Sequence, residues 1–279
     1  MGSHGARSCA SRAGACCTLV RCQCAGRYPC KTRRGSGVSK LASDTAMVLA
    51  AGMGKRMRPL TATQPKPMVR VAGKPLVDHA LDKLAEAGVG RAVVNVHYLA
   101  DSLEAHLQGR TAPQVIFSDE REQLLETGGG IVKAEGQLPD PFFCLNSDNI
   151  WLDGPVNAFA DLSTFWDADK MDALLLLVTH KAAHNFNGKG DFHMDANGLL
   201  RRRASGRIAP YIFTGIQLIS KRLMRDAPEG AFSTNVLWTR AMEEDRLYGM
   251  AFTGQWFEVG TPQAIKPTEE ALSVGSHQG

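Results

Sequence analysis

Apolar positions along the chain fall into short runs separated by segments with a helical period. Residues 45–50 (TAMVLA) predict a short buried strand, followed by a Gly-rich turn. In residues 75–87, Leu76/Val77, Ala80/Leu81 and Leu84/Ala85 recur every four positions. Pro75 suits a first turn and Gly88 suits a stop, so this spacing predicts a helix. Further strands are expected over residues 91–96, 114–117, 142–145 and 173–179, with helices over 101–107, 129–138 and 155–166. Residues 211–220 and 247–252 read as part of a mixed set of strands and helices that closes the domain. Strands alternating with helices imply an α/β fold, a mostly parallel sheet covered on both faces.

Composition adds a division near the start. The chain has 279 residues, 44% of them apolar and 22% charged, which excludes a collagenous or wholly disordered polypeptide. Residues 1–43 carry eight Lys/Arg and no acid. The remaining 24 basic and 28 acidic side chains give the body a net charge of −4, so its charge offers no reason to expect nucleic acid. Six of the seven cysteines also precede residue 31. Cys16-Cys17 followed by Cys22-x-Cys24 lacks the two clean pairs of a zinc module, and no apolar signal core precedes them. Residues 1–43 are therefore expected to be a disordered Cys/Arg-rich tail, residues 44–275 one domain, and residues 276–279 a short tail. Met47 stands as an alternative start. The longest apolar stretch, residues 173–178, is far short of a membrane span.

The candidate chemistry begins in the turn after the first strand, Leu49-Ala50-Ala51-Gly52-Met53-Gly54-Lys55-Arg56. A dinucleotide fingerprint needs a third glycine where this chain has Met57. A P-loop needs glycine where it has Leu49. A strand, a small-residue turn and a basic cluster remain. Backbone N–H groups in such a turn can approach an anion, and the Arg56 fork can grip phosphate oxygens. Pro65 and Pro67 bracket Lys66 and are expected to present it from an extended segment. Asp148 follows a buried strand, at the carboxyl edge where open α/β sheets bind ligands. His180-x-x-x-His184 has metal-like spacing but sits beside Asn185 and Gly188, which argue for a loop. His97, His193 and Cys144 read as structural residues in apolar surroundings.

Taken in order, Gly52-x-Gly54-x-Arg56-x-x-Pro59-x-Thr61 and Pro65-Lys66-Pro67 resemble the signature of sugar-1-phosphate nucleotidylyltransferases. The resemblance continues through Glu126-Thr127-Gly128-Gly129-Gly130, Leu145-Asn146-Ser147-Asp148, Gly190-Asp191-Phe192, Phe213-Thr214-Gly215 and Trp256-Phe257-Glu258-Val259-Gly260-Thr261. It covers roughly residues 45–270 and looks most like the N-acetylmuramate 1-phosphate uridylyltransferase branch. It implies a Rossmann-like mixed sheet of the nucleotidyltransferase or glycosyltransferase-A kind. The implied reaction moves a nucleoside monophosphate, UMP from UTP, onto a sugar 1-phosphate and releases pyrophosphate. The implied setting is cell-wall precursor recycling in a bacterial cytoplasm, with small-molecule substrates and neither membrane nor nucleic-acid partners.

By the same resemblance, Leu49, Ala50, Ala51, Gly52, Met53 and Gly54, with Glu126, Thr127 and Gly128, would hold the nucleotide. Arg56 and Lys66 would hold phosphates. Asn146, Asp191, Thr214 and Gly215 would contact the sugar. Asp148 would coordinate Mg²⁺, which takes one or two carboxylates beside phosphate oxygens and water. The family pattern places Asp before Val-Gly-Thr, whereas this chain has Glu258, whose extra methylene lengthens the reach by about 1.5 Å. Glu258 is thus expected as a direct ligand, a water-bridged one, or a bystander. The run Arg201-Arg202-Arg203 reads as a solvated strand edge, or as a partner for the carboxylate of a muramic acid substrate. Three alternatives stand beside this reading: mannose 1-phosphate with GTP in the same family, a nucleotide-sugar sensor without turnover, and a nicotinamide dehydrogenase that Met57 disfavours.

Overall fold

The computed structural model describes residues 40–275. The expectations for residues 1–39 and 276–279 lie outside this range. Leu41 and Ala42 already pack on the core, and the Ala42 N–H donates to Ser163 Oγ at 3.0 Å.

In chain order the strands are β1 (Thr45–Leu49), the two-residue β2 (Arg70–Val71) and β3 (Lys74–Pro75), β4 (Arg91–Val96), β5 (Gln114–Asp119), β6 (Phe142–Asn146) and β7 (Asn149–Leu152). Then come β8 (Ala173–Thr179), β9 (Ala183–His184), β10 (Phe192–Met194), β11 (Leu200–Arg202), β12 (Tyr211–Ile219), β13 (Leu247–Ala251) and β14 (Gln255–Glu258). The helices are α1 (Leu76–Ala87), α2 (Ala100–Leu107), α3 (Glu126–Lys133), α4 (Ala158–Phe165), α5 (Asn235–Glu243) and α6 (Ile265–Gly275). The periodic segments read from the sequence appear within a few residues of their expected bounds. Gly88 ends α1 in the left-handed region at φ 90°, where glycine carries no Cβ penalty.

Nine strands form the main sheet, with the order β11-β10-β12-β6-β1-β4-β5 and with β8 and β13 attached beyond β12. β1 pairs parallel with both β4 and β6, and β4 pairs parallel with β5. β12 runs antiparallel to β6 and β8, so a parallel core passes into a mixed flank. Side-chain alternation assigns the two faces. Ala46, Val48, Phe143, Leu145, Leu174 and Leu176 join one core with α1, α2 and α4. Met47, Val93, Phe142, Cys144, Leu175 and Leu177 join another with α3 and α5. Both faces are therefore covered, which explains why β6 and β8 read as continuous apolar runs rather than alternating ones.

A second, three-stranded sheet, β7-β14-β9, lies over a smaller core that includes Met57, Val69, Leu76, Ile150 and Phe257. Only Ser147 and Asp148 separate β6 in the large sheet from β7 in the small one. Phe143 is fully buried and meets Phe159 edge to face at 5.1 Å between ring centroids. Phe143→Ala should lower unfolding free energy by about 3–5 kcal/mol through lost burial and a cavity. Urea unfolding measures this, and a loss below about 1 kcal/mol would contradict the packing described.

Candidate active site

The register of the central ladder brings the candidate residues to one edge. Leu49 at the end of β1 stands opposite Asn146 at the end of β6, and the Ser147 N–H donates to the Leu49 carbonyl at 3.0 Å. The Gly-rich turn and the Asn146–Asp148 segment therefore leave the sheet side by side.

The turn is shaped by a residue the sequence reading did not single out. Asn95 on β4 is buried, and its Oδ1 accepts the Ala50 N–H at 2.6 Å and the Ala51 N–H at 3.3 Å. Those two amides are committed to Asn95. In this structure they bond a side chain of the protein, while Ala50 and Ala51 still line the hollow described below. Asn95 Nδ2 in turn donates to Glu120 Oε1 at 2.8 Å, and Glu120 Oε2 accepts the Leu125 N–H at 3.1 Å. One buried polar chain thus ties the turn to the entrance of α3. Gly54 sits at φ 59°, and a Cβ there would lie 2.8 Å from Lys66 Cβ. The absence of a side chain lets the turn rest directly against the lysine segment.

Lys66 opens a 3₁₀ turn, Lys66–Met68, rather than an extended segment. Pro65 is extended as expected, while Pro67 fits the first turn of a helix, where no N–H is needed. The result is a mostly buried Lys66 side chain whose Nζ contacts Asp148 Oδ2. Arg56 Nη1 lies 3.8 Å from Glu258 Oε1, with the Arg56 side chain 74% exposed. Glu258 is aligned with Asn149, the residue after Asp148, in the antiparallel β7–β14 pair.

Three connected hollows surround these groups. One of about 420 Å³ is bounded by Leu49–Gly52, Asn95, Glu126 and Thr127, with Lys66, Asn146 and Asp148 on its wall. A second, of about 300 Å³, shares Leu49, Thr127 and Asn146 and extends to Asp191, Arg202 and Trp238. A recess of about 260 Å³ holds Gly52, Gly54, Arg56, Lys66, Asp148 and Gly260. Lys66 and Asp148 border both the first hollow and the recess, so Arg56, Lys66 and Asp148 share one cleft.

A family model described as nucleotidyl transferase matches residues 45–190. N-acetylmuramate alpha-1-phosphate uridylyltransferase of Caulobacter vibrioides is 44% identical over 237 residues, 83% of this chain and 98% of that protein. The protein of the same name from Neisseria meningitidis serogroup B is 32% identical, covering 80% and 96%. Among solved structures, inositol-1-phosphate CTP transferase from T. maritima superposes with a TM-score of 0.68 at 19% identity, over 83% of this chain and 96% of that one. The chain belongs to the nucleotidyl transferase family.

Within this nucleotidyl transferase, Glu126 and Thr127 border the first hollow, Thr127 and Asn146 border both of the first two, and Asp191 borders the second. Asp191 Oδ2 accepts the Phe213 N–H at 2.9 Å, which fixes its carboxylate and leaves Oδ1 toward the hollow. Three expected contacts are placed differently. Gly128 is buried in the first turn of α3, and a Cβ there would lie 2.4 Å from the Phe232 ring. Its N–H donates to the Phe232 carbonyl at 2.8 Å, so this glycine permits close packing inside the protein, not close approach to a nucleotide. Thr214 is buried, and its hydroxyl donates to the Leu176 carbonyl at 2.8 Å, within the sheet. Gly215 lies in the bulge where β12 shifts register against β8, at φ 82°. A Cβ there would sit 2.7 Å from Asn146 Nδ2, which makes Gly215 a support for Asn146.

The discounted residues are accounted for as well. His180 Nε2 bonds the Ala209 carbonyl at 2.8 Å, while His184 stacks on Phe257. His97 Nδ1 bonds the Glu120 carbonyl at 2.7 Å, whereas His193 is exposed rather than part of a core. Burial pushes the Cys144 thiol up to about 12, in keeping with an inert core side chain.

Asn95→Leu keeps the approximate volume but strands the Ala50 and Ala51 N–H groups and Glu120. Each buried group left without a partner costs about 1–3 kcal/mol. Urea unfolding should register a loss in that range or above, and an unaltered midpoint would show that the Asn95 network does not hold the turn.

Proposed function

We propose that the chain transfers UMP from UTP to N-acetylmuramate 1-phosphate, giving UDP-N-acetylmuramate and pyrophosphate. The observation that carries this reading is the shared cleft in which two cations, Arg56 and Lys66, each face a carboxylate. The Caulobacter relative, matched over nearly its whole length, supports the choice of base and sugar.

The physical problem is to bring two anions together. An oxygen of the sugar 1-phosphate attacks the α-phosphorus, forming one P–O bond while the bond to the β-phosphate oxygen breaks and pyrophosphate departs. Lys66 Nζ stands between the first hollow and the recess, where it can hold the phosphate under attack. Arg56, more exposed in the recess, would hold the leaving phosphates with its fork. The Ala50–Gly52 turn and Glu126–Thr127 bound a hollow for the nucleoside, and Asn146 and Asp191 offer hydrogen-bonding groups to the sugar. Direct displacement requires no nucleophile from the protein.

Asp148 borders the recess with Lys66 and Arg56, where it would give a carboxylate to a divalent cation that takes its other ligands from phosphate and water, with Glu258, 3.8 Å from Arg56, as the candidate second acid. When bound, the cation neutralises charge on the phosphate oxygens. With substrate and cation bound, Lys66 would turn to phosphate and Asp148 would hold the cation, each giving up the partner it has in this structure. No helix of the described residues is long and apolar enough to cross a membrane. The substrate pair itself implies a cytoplasmic, wall-recycling setting.

Pyrophosphate release from a panel of nucleoside triphosphates and sugar 1-phosphates, with and without Mg²⁺, tests the reading. UTP with N-acetylmuramate 1-phosphate should be fastest, and EDTA should abolish release. Lys66→Ala should lower kcat by about 10²–10³-fold while melting near the wild-type temperature. A fully active Lys66→Ala enzyme would remove the assigned role, and saturable binding without pyrophosphate from any pair would identify a sensor instead.

A further inference from the structure

Strand periodicity separates the three consecutive arginines at the end of β11. Arg201 points away from the second hollow: its Nη2 lies 2.6 Å from Asp245 Oδ1, and its Nη1 donates to the Met242 carbonyl at 3.4 Å. Arg203 follows the strand and is held by the backbone, its Nε donating to the Gly190 carbonyl at 2.9 Å and its Nη1 to Arg207 O at 3.0 Å. Arg202 alone of the three borders the hollow that also contains Asn146 and Asp191.

Its position there is built by neighbours on both sides. Arg202 is the cross-strand partner of Phe192 in the β10–β11 pair, and its Cζ lies 5.4 Å from the centre of the Phe192 ring. Phe192 in turn packs edge to face on Trp238 of α5. From the other side, Arg202 Nη1 donates to Asn235 Oδ1 at 3.1 Å. The ring and the amide orient the guanidinium without neutralising it. Among the described residues no carboxylate lies within 4.0 Å of its nitrogens, although Asp191 acts on it from farther away. Desolvation against this wall draws its pKa below the ordinary arginine value, the Asp191 charge draws it back, and an arginine stays protonated at any working pH.

An oriented, unneutralised guanidinium in the sugar-side hollow is a site for a planar anion. We infer that Arg202 is the specificity-determining residue that reads the lactyl carboxylate of the acceptor sugar. The inference rests on the acceptor assigned above and goes beyond it, because it names the side chain that tells a carboxylate-bearing sugar from its neutral counterpart. The remaining polar groups of the hollow have other work. Asp191 has one oxygen fixed by the Phe213 N–H, and the Gln217 carbonyl oxygen accepts the Trp238 indole N–H at 3.1 Å. These groups suit hydroxyl and acetamide contacts, whereas only the guanidinium matches a carboxylate.

Two acceptors that differ only in the lactyl ether, N-acetylmuramate 1-phosphate and N-acetylglucosamine 1-phosphate, are compared with UTP and Mg²⁺ in the full chain. The wild type should prefer the first. Arg202→Gln should raise its KM by about 10–100-fold and reduce the selectivity ratio between the acceptors by a similar factor, the loss of one charge-assisted contact. Arg202→Lys, which keeps the charge but loses the fork, should recover part of the ratio. The methyl ester of the lactyl group, used with the wild-type enzyme, should bind as poorly as the acid binds to Arg202→Gln, a result independent of how any variant folds. A Gln variant that keeps the wild-type ratio, or an ester that binds like the acid, overturns the inference and leaves the assigned acceptor standing. A wild type with no preference for the carboxylate overturns both.

Discussion

The parallel ladder between β1 and β6 is the constraint on which the site depends. Because Leu49 is paired with Asn146, the Gly-rich turn and Asp148 emerge from the same sheet edge one strand spacing apart. A slip of one residue would turn every side chain of β1 to the opposite face and exchange Ala46 and Val48 with Met47 between the two cores. Burial on both faces forbids that slip. The apolar cores therefore hold the cleft together indirectly, by fixing a register rather than by touching a substrate.

The charges in the cleft have a different purpose. Exposed ion pairs add little to stability, and the 3.8 Å pair between Arg56 and Glu258 cannot hold the fold together. Their value lies in placement. Lys66 is mostly buried, anchored by a 3₁₀ turn and pressed on by Gly54, so its ammonium is held at the cleft wall beside Asp148. Such preorganisation avoids reordering solvent or side chains during the reaction, which makes a donor effective in phosphoryl transfer. Asn95 provides the same service for the turn by fixing its first two amides from below.

Much of this arrangement was legible in the sequence because it rests on periodicity. The four-residue recurrence in α1, its Gly88 stop, and the apolar runs of β4, β6 and β8 all follow local rules. Arg56, Lys66 and Asp148 could be paired with chemistry because ordered motifs surround them. What stayed hidden depends on contacts distant in the chain. Asn95 and Glu120 look like polar exceptions to apolar strand patterns, and only their meeting across 25 positions shows that they satisfy each other. Gly128 looks like a ligand-side glycine until Phe232, more than a hundred residues later, is seen to occupy the space that a Cβ would need. The hydroxyl of Thr214 has the chemistry of a sugar contact, but the bulge in β12 turns it to a neighbouring strand. A motif names residues that matter together, while tertiary packing decides which of them face the ligand.

The substitution at Glu258 follows the same logic. Asp148 lies in the two-residue link between the large and small sheets, whereas Glu258 ends β14 in the small sheet alone. The place of Glu258 is set by its alignment with Asn149, a register independent of the one that joins β1 to β6. The side chain also reaches toward Arg56, past Gly260, where a Cβ would come within 3.5 Å of Glu258 Oε1 and 3.6 Å of Arg56 Nη1. Both are ordinary van der Waals separations, so the acid and the arginine meet beside Gly260 without being crowded by the backbone there.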